Sequence, residues 1–246
     1  MHSPYGLKII ESCINCKLHA DWFFCNFPDE SLRAFDAIKY TSLYPKGAIL
    51  FVAGQYPRGV FVLCNGRVKL QTCSNDGRAL MWIAEAGEVI GLSATISGMP
   101  YEVTAETLDP CQVNFIKRED FLQFLREHGE ACLRVAQHLS NELRAAYEQI
   151  RSLGLSHSVA EKLARLLLAW CDNDGKQVEQ GIRLKLTLTH EEIAQMIGSS
   201  RETVTRLLGE FRNRQVISVK GSTLLIRDKG ALEAIVNSGE FAHSLE

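Results

Sequence analysis

Glycine spacing is the feature of this sequence that most restricts its fold. From about Tyr40 to Val113, short apolar runs such as Ile49-Leu50-Phe51-Val52 and Val60-Phe61-Val62-Leu63 are separated by glycines at positions 47, 54, 59, 66, 77, 87 and 98. Glycine adopts positive φ readily, so these positions suit tight turns. Asn65-Gly66 and Asp76-Gly77 are hairpin-turn dipeptides for the same reason. Many short strands in close succession predict a small antiparallel barrel or roll.

A helical pattern follows the strand region. From Cys132 onward, apolar or small residues recur at alternating spacings of four and three, at Ala136, Leu139, Leu143, Ala146, Ile150 and Leu153. This alternation, sustained for about three heptads, is typical of a coiled-coil seam. The alternative is an amphipathic helix packed on its own domain. We expect a dimerisation helix at 130–155 and a homodimer.

Two further short helices are predicted near the C-terminus. Thr189-His190-Glu191-Glu192 is a capping box, and Gly198 can end the first helix in the left-handed conformation. Ser199 or Ser200 can cap the second helix, whose inward-facing residues are Val204, Leu207, Leu208 and Phe211. This arrangement indicates a helix-turn-helix.

The polar face of the second helix suits the reading of DNA. It carries Arg201, Glu202, Thr205 and Arg206, and the capping Ser200 is expected to contact DNA with them. Arginine can bind guanine in bidentate fashion, glutamate can accept from cytosine, and a threonine methyl can contact thymine. The segments 216–219 and 223–226 predict a hairpin wing around Lys220, able to meet phosphate. The alternative is that these charges only solvate a helix.

Composition places the chain among ordinary globular proteins. Of its 246 residues, 46% are hydrophobic and 23% are charged. No apolar stretch approaches the roughly 20 residues of a membrane helix, and the first ten residues do not predict a secretory signal. We therefore expect a cytoplasmic protein without a membrane partner. The net charge is -2, but Arg183–Lys229 contains nine basic and five acidic residues, a local basic excess that suits DNA.

These patterns predict an α+β chain with five parts. They are a cysteine-bearing segment (1–27), a sensory β-roll (28–129), the dimerisation helix (130–155), a winged helix-turn-helix (156–232) and a tail (233–246). Pro28-Asp29-Glu30-Ser31 predicts a helix start within the second part. The tail is expected to be frayed or a short final helix.

The stretch from Leu186 to Arg227 resembles the winged helix of the CRP/FNR transcription regulators, and the order of parts is similar over nearly the whole chain. The Ser-Arg-Glu-Thr-Val-x-Arg core is specific to that superfamily. The resemblance implies a cyclic-nucleotide-binding-like β-roll (a jelly roll), with Glu202 and Arg206 as the main base readers. It also implies inverted-repeat DNA with TGA-containing half-sites, and RNA polymerase as a further partner. Arg201 resembles the cAMP-receptor branch, and the Thr205 hydroxyl resembles a serine of the FNR branch.

The β-roll departs from the cAMP-binding pattern of that family. Leu92 stands where the ribose-binding glutamate would fall, and Tyr101-Glu102 stands where the phosphate-binding arginine and serine would fall. An acidic residue there would repel a phosphate. The sequence therefore argues against cyclic-nucleotide sensing.

Eight cysteines are the unusual feature of the composition. In a reducing cytosol, clustered cysteines suggest metal or redox chemistry. Cys13, Cys16 and Cys25 lie in the N-terminal segment, and Cys111 follows Asp109-Pro110. This set resembles that of FNR-type oxygen sensors, which implies a [4Fe-4S] cluster on four thiolates. However, the eight residues between Cys16 and Cys25 exceed the five of the enteric oxygen sensors.

Three other interpretations of these cysteines stay open. Tetrahedral zinc would accept the same four thiolates, a thiol-disulfide switch would need two of them, and all could simply pack as small hydrophobes. The remaining cysteines, at positions 64, 73, 132 and 171, are expected to be core or surface residues. The signal itself is open between oxygen, nitric oxide and general redox state.

An enzyme, such as a small iron-sulfur oxidoreductase, is the rival class. The sequence has no glycine-rich phosphate loop between a strand and a helix, no nucleophile elbow and no HExxH motif. We therefore expect a regulator and no catalytic residues.

Overall fold

The structure is a computed structural model, which describes residues 4–7, 9–14, 16, 25, 27–73, 79–154 and 158–238. The chain divides into two compact units. The first comprises Met1–Ser74 and Met81–Ala146, and the second comprises Asn75–Leu80 and Tyr147–Glu246.

The first unit is built mainly from short strands, with helices at its beginning and end, and its last helix continues past Ala146 into the residues of the second unit. In chain order these elements are α1 (Asp29–Ile38), β1 (Lys39–Tyr44), β2 (Ile49–Phe51), β3 (Gly59–Asn65), β4 (Val68–Cys73), β5 (Ala79–Ala84), β6 (Val89–Ile90), α2 (Leu92–Ser97), β7 (Thr104–Thr107), β8 (Cys111–Lys117), α3 (Arg118–Glu127) and α4 (Gly129–Gly154), preceded by a 3-10 turn at Pro4–Gly6.

Two antiparallel sheets form the predicted β-roll. One has the strand order β1-β8-β3-β6, and the other has the order β2-β7-β4-β5. Because strand residues alternate between faces, Leu63 and Val113 of the first sheet pack with Phe51, Leu70 and Ala105 of the second in an inner core.

The opposite face of the first sheet is covered by helices. Val60, Val62 and Ile116 pack there against Phe35 of α1, Phe121 and Phe124 of α3, and Ala131 and Val135 of α4. The predicted helix start at Pro28 is confirmed, since α1 begins at Asp29 and buries Leu32 and Phe35. We call this surface the outer face, and its apolar cluster the outer core.

The prediction of a hairpin at Asn65-Gly66 is wrong. Gly66 does adopt positive φ, at 89°, but the strands that it joins, β3 and β4, belong to different sheets. A Cβ at Gly66 would lie 2.5 Å from Cys111 Sγ and 2.6 Å from the Pro110 carbonyl oxygen. The glycine is therefore required by positive φ and by close packing between the sheets. The other dipeptide, Asp76-Gly77, lies outside the described residues.

The second unit contains helices and a small sheet. Its elements are α5 (Val159–Asp174), β9 (Lys176–Val178), β10 (Gly181–Lys185), α6 (His190–Ile197), α7 (Arg201–Asn213), β11 (Ile217–Lys220), β12 (Thr223–Ile226) and α8 (Lys229–Ser238). The sheet has the antiparallel order β11-β12-β10-β9. The inward faces of α5, α6 and α7 pack on it in one apolar core.

The final helix extends beyond the predicted domain end at 232. Helix α8 continues to Ser238, and it buries Leu232 completely and Ile235 almost completely in the core of the second unit. The start of the expected tail therefore belongs to this domain, as the short-helix alternative anticipated. Among the described residues, no helix is both long enough and apolar enough to span a membrane.

Candidate functional sites: a nucleic-acid interface and a cysteine cluster

Helix α6 begins with the predicted capping box. The Thr189 hydroxyl accepts from the Glu192 amide at 3.2 Å, and the Glu192 carboxylate accepts from the Thr189 amide at 2.8 Å. At the other end, Gly198 adopts the left-handed conformation with φ 63° and ψ 47°. These two local signals set the length of α6 and the tight turn that leads into α7.

One face of helix α7 packs into the core of the second unit, and the opposite face is exposed. Ser200 is its cap, because its hydroxyl accepts from the Thr203 amide at 3.2 Å. The predicted inward-facing residues Val204, Leu207, Leu208 and Phe211 are all buried. The predicted base-reading residues Arg201, Glu202, Thr205 and Arg206 are all exposed along its first two turns. The structure therefore brings these four residues together on one polar surface, which we call the α7 face.

Two contacts on the α7 face were not foreseen from the sequence. His190 Nδ1 lies 2.8 Å from the Thr205 hydroxyl, which also donates to the Arg201 carbonyl at 2.8 Å. The Arg206 guanidinium pairs with Glu210 at 2.5 Å. The i,i+4 spacing of Arg206 and Glu210 could have revealed the second contact, but nothing local in the sequence links His190 to Thr205, because they lie on different helices.

The predicted wing is a hairpin of β11 and β12. Lys220 pairs with Thr223 in the ladder, so the turn consists of Gly221, at φ 58°, and Ser222. Lys220 is exposed at this tip, where its ammonium is available to a phosphate.

The three N-terminal cysteines of the predicted metal set are buried, and Cys13 belongs to the outer core. Cys13, Cys16 and Cys25 are 7%, 8% and 7% exposed. The Cys13 thiol lies 3.5 Å from Lys39 Nζ and 3.8 Å from Asn114 Nδ2. The Cys13 amide donates to Asp36 at 2.7 Å. Burial first, and then the charges of Cys13 and Cys16, raise the pKa of Cys25 to about 12.

Cys111 is not brought together with these three cysteines. It belongs to the inner core, between the two sheets, and its thiol donates to the carbonyls of Asp109 at 3.2 Å and Arg67 at 3.4 Å. Its neighbour Gln112 lies on the outer face, where it exchanges hydrogen bonds with the backbone of Ile10. Because alternate strand residues point to opposite faces, Cys111 is directed away from the N-terminal segment.

Cys64, expected to be a core or surface residue, is the cysteine that joins the group. It is 7% exposed at the end of β3. Its pKa is raised to about 12, first by burial and then by the charges of all three N-terminal cysteines, with Lys39 acting in the opposite direction. We call Cys13, Cys16, Cys25 and Cys64 the outer cysteine cluster.

The described side chains do not form a site for a single metal ion. Within the ranges that the structure describes, no three cysteine, histidine, aspartate or glutamate side chains converge closely enough to bind one metal ion. In the described part of the chain, no cysteine forms a disulfide bond.

Three residues occupy the positions where cAMP-binding regulators would bind the ribose and the phosphate. Two of them are buried and pack against neighbouring side chains. Tyr101 is 4% exposed, stacks on Phe51 with 3.8 Å between ring centroids, and donates to the Gly59 carbonyl at 2.9 Å. Leu92 is 2% exposed in the outer core. Glu102 stays near the surface, 3.5 Å from the Ser93 hydroxyl. The structure places no cation at any of these three positions.

Helix α4 presents two apolar faces. Ala131 and Val135 are buried in the outer core, and Leu139 of the predicted seam packs partly against it. The seam residues Ala136, Leu143 and Ala146 are exposed, Leu143 by 55%. Ile150 and Leu153 lie within α4, but their side chains are outside the described residues.

Two protein-family models match the chain. The Crp-like helix-turn-helix domain matches residues 161–235, and the cyclic nucleotide-binding domain matches residues 42–128. Together they cover well over half of the chain, in the order in which the two units occur.

Similar proteins are found among transcription regulators. A CRP-like cAMP-activated global transcriptional regulator of Mycobacterium tuberculosis is 27% identical over 190 residues, which is 77% of this chain and 84% of that protein. A global nitrogen regulator of Synechocystis is 29% identical over 77% of this chain and 85% of its own length. An anaerobic regulatory protein of Bacillus subtilis is 25% identical over 75% of this chain and 78% of its own length.

A solved structure has the same fold. The c-di-GMP responsive global regulator CLP of Xanthomonas campestris superposes with a TM-score of 0.72 at 20% identity, covering 81% of this chain and 99% of that one.

The fold and the α7 face define a DNA-binding transcription regulator. The chain belongs to the CRP/FNR family. Because its relatives are regulators and not enzymes, the alternative of a small iron-sulfur oxidoreductase is set aside.

Proposed function

We propose that this regulator binds inverted-repeat DNA with TGA-containing half-sites as a homodimer, and that a [4Fe-4S] cluster on its cysteines makes the binding sensitive to oxygen. The α7 face carries the DNA part of the proposal. The buried group of N-terminal thiols carries the sensing part.

The α7 face supports sequence-specific reading. Arg201, Glu202, Thr205 and Arg206 project from a helix whose opposite side is locked into the core. Their donors and acceptors match base edges in the major groove. The exposed Lys220 at the wing tip supplies a phosphate contact, which positions the protein without reading sequence. RNA polymerase is a further partner in this proposal, as the family resemblance implies.

The exposed seam of α4 supports a homodimer. Ala136, Leu143 and Ala146 leave apolar surface uncovered on the described part of the helix, at the spacing that a second copy of α4 would match. In a two-fold dimer, two α7 helices would reach half-sites about one helical turn apart. Linking two weak readers also raises the effective concentration of the second one once the first is bound.

The donor chemistry of the cysteine site fits an iron-sulfur cluster. Soft thiolates suit its irons, and Lys39 supplies a nearby positive charge, since its ammonium contacts the Cys13 thiol. Asn114 adds an N–H donor toward the same sulfur. When bound, such a cluster supplies a redox centre that oxygen can oxidise.

The N-terminal segment packs in the same apolar core as the start of α4. Cys13 and Phe27 belong to the same outer core as Ala131 and Val135 of α4. The Phe27 ring contacts Phe124, and the Arg134 guanidinium of α4 lies 5.4 Å from its centroid. Ordering this segment around its cysteines would thus favour one packing of the start of α4. The sensing device can switch DNA binding only if it stabilises one state of the dimer more than the other.

Titration of a fluorescent duplex tests the DNA-binding part. Binding to an inverted TGA repeat should exceed binding to a scrambled duplex by the roughly 10³-fold or more that is typical of specific sites, and should weaken steeply with salt. Equal affinity for both duplexes at every salt concentration would refute specific recognition. The same titration distinguishes oxygen from the other candidate signals. It is repeated after exposure of the protein to nitric oxide, and after oxidation or reduction of its thiols.

A further inference from the structure

We propose that Cys64, and not Cys111, provides the fourth thiolate of the cluster site, together with Cys13, Cys16 and Cys25. This inference rests on the proposed cluster. It changes the ligand set that the family resemblance implies.

The positions of β8 that contact the N-terminal segment lie beside Cys64 of β3. On β8, Gln112 bonds to Ile10 and Asn114 to Cys13, so these two positions meet the N-terminal segment. On β3, Val62 pairs with Asn114 and Asn65 pairs with Gln112. Cys64 lies between these two pairs, beside the part of β8 that the N-terminal segment covers.

The local backbone of β3 also favours Cys64 as a ligand. The register of β3 against β8 shifts between Leu63 and Asn65, which leaves Cys64 at an irregularity of the ladder, without a paired residue on β8. Irregularities of this kind redirect a side chain. The Cys64 thiol donates a long hydrogen bond, 3.8 Å, to the Val62 carbonyl. Because so long a hydrogen bond is weak, the binding of iron to the Cys64 sulfur would cost little in lost hydrogen bonding.

The surroundings of Cys111 hold this residue in the inner core. Its thiol already has two carbonyl acceptors, at Asp109 and Arg67, and it is completely buried in the inner core. Moving Cys111 to the outer face would require β8 to turn over at this point. That rotation would break its pairing with Tyr44 of β1 and would bring a polar neighbour into the apolar inner core.

Substitution of single cysteines in the full chain tests this assignment. Wild-type protein, Cys64→Ala, Cys111→Ala and the exposed-thiol control Cys73→Ala are purified without oxygen and reconstituted with iron and sulfide. Iron and acid-labile sulfide per chain are measured, and far-UV circular dichroism of the metal-free proteins checks folding. We expect about four irons and four sulfides in wild type, Cys73→Ala and Cys111→Ala, and loss of most of both in Cys64→Ala.

A second variant covers the case in which Cys64→Ala does not fold. Cys64→Ser keeps the size of the side chain and offers iron an oxygen ligand, so we expect a cluster whose Mössbauer spectrum has one altered iron site. A packing role would leave the four sites unchanged.

The outcomes separate the two proposals. Folded Cys111→Ala that loses its cluster, or Cys64→Ala that retains four irons, would overturn the assignment of Cys64 while the proposed cluster survives. Wild-type protein that takes up no iron and sulfide would instead remove the proposed cluster itself.

Discussion

At the residue scale, the α7 face is ordered before DNA arrives. Arg206 is held by Glu210, and Thr205 is held between His190 and the Arg201 carbonyl. Such contacts reduce the side-chain entropy lost on binding. In the proposed DNA complex, Arg206 would have to exchange or share its partner Glu210 in order to reach a base.

Arg206→Ala tests base reading directly. A bidentate arginine contact is worth about 1–3 kcal/mol of discrimination, so we expect affinity for the inverted repeat to fall about tenfold to hundredfold while binding to scrambled DNA changes little. Fluorescence anisotropy on both duplexes measures this. Arg165→Ala on α5, where the arginine pairs with Glu161, is the matched control. A uniform loss on both duplexes would show that Arg206 serves only as a phosphate contact.

Thiol reactivity tests the buried cysteines in the metal-free, reduced chain. Burial raises the pKa of Cys13 to about 11 and that of Cys64 to about 12, so their thiolates are scarce at neutral pH. We expect iodoacetamide to modify the exposed Cys73 and Cys132 first at mildly alkaline pH, as followed by mass spectrometry. Early labelling of Cys64 would contradict its burial.

The same pKa shifts predict the pH dependence of stability. Folding favours the neutral thiols of Cys13 and Cys64, so their contribution is fully present below the usual thiol pKa of about 8.5. That contribution is lost as the pH rises toward about 11 and about 12, the folded pKa values of these two thiols.

At the element scale, local signals set the helices of the DNA-binding unit. Thr189→Ala removes one half of the capping box, and such losses cost about 1 kcal/mol. We expect that decrease in the free energy of unfolding, measured by urea denaturation. Thr187→Ala, at an exposed position two residues earlier, should stay within about 0.5 kcal/mol of wild type. Equal effects of the two substitutions would mean that the cap contributes nothing.

The exposed seam of α4 gives a second test at this scale. Leu143→Glu places a charge in the proposed dimer interface, so sedimentation should shift from dimer toward monomer and the affinity for the inverted repeat should fall. Asn141→Glu, on an exposed position outside the seam, should leave both measurements unchanged. A dimer that persists in Leu143→Glu would place the interface elsewhere.

Sequence patterns predicted those elements whose signals are local. The capping box, the left-handed Gly198 and the inward face of α7 are all confirmed, because neighbouring residues determine them. The strand pairing around Asn65-Gly66 was not predictable in this way, since a tight turn does not specify whether its strands share a sheet. Helix α8 was ambiguous because its stability comes from packing against α5.

At the scale of the whole molecule, the positions of the cysteines relative to one another could be predicted only in part from the sequence. Spacing identified Cys13, Cys16 and Cys25, which lie close together in the chain. The position of Cys111 before a strand suggested a fourth ligand, but the face to which a strand residue points depends on the register of β8 in its sheet. Cys64 lies within a continuous apolar strand and carried no local signal. Only the tertiary fold brings it to the outer face.

In the proposed function, one molecule couples a thiolate-held cluster to DNA affinity. The measurement that tests it most directly is the dissociation constant for the inverted repeat before and after exposure to air, in a sample whose iron and sulfide are quantified at both points. We predict about four irons and four sulfides per chain with tight binding at first, followed by loss of the cluster and weaker binding in air. An unchanged dissociation constant on complete loss of the cluster would contradict the claim.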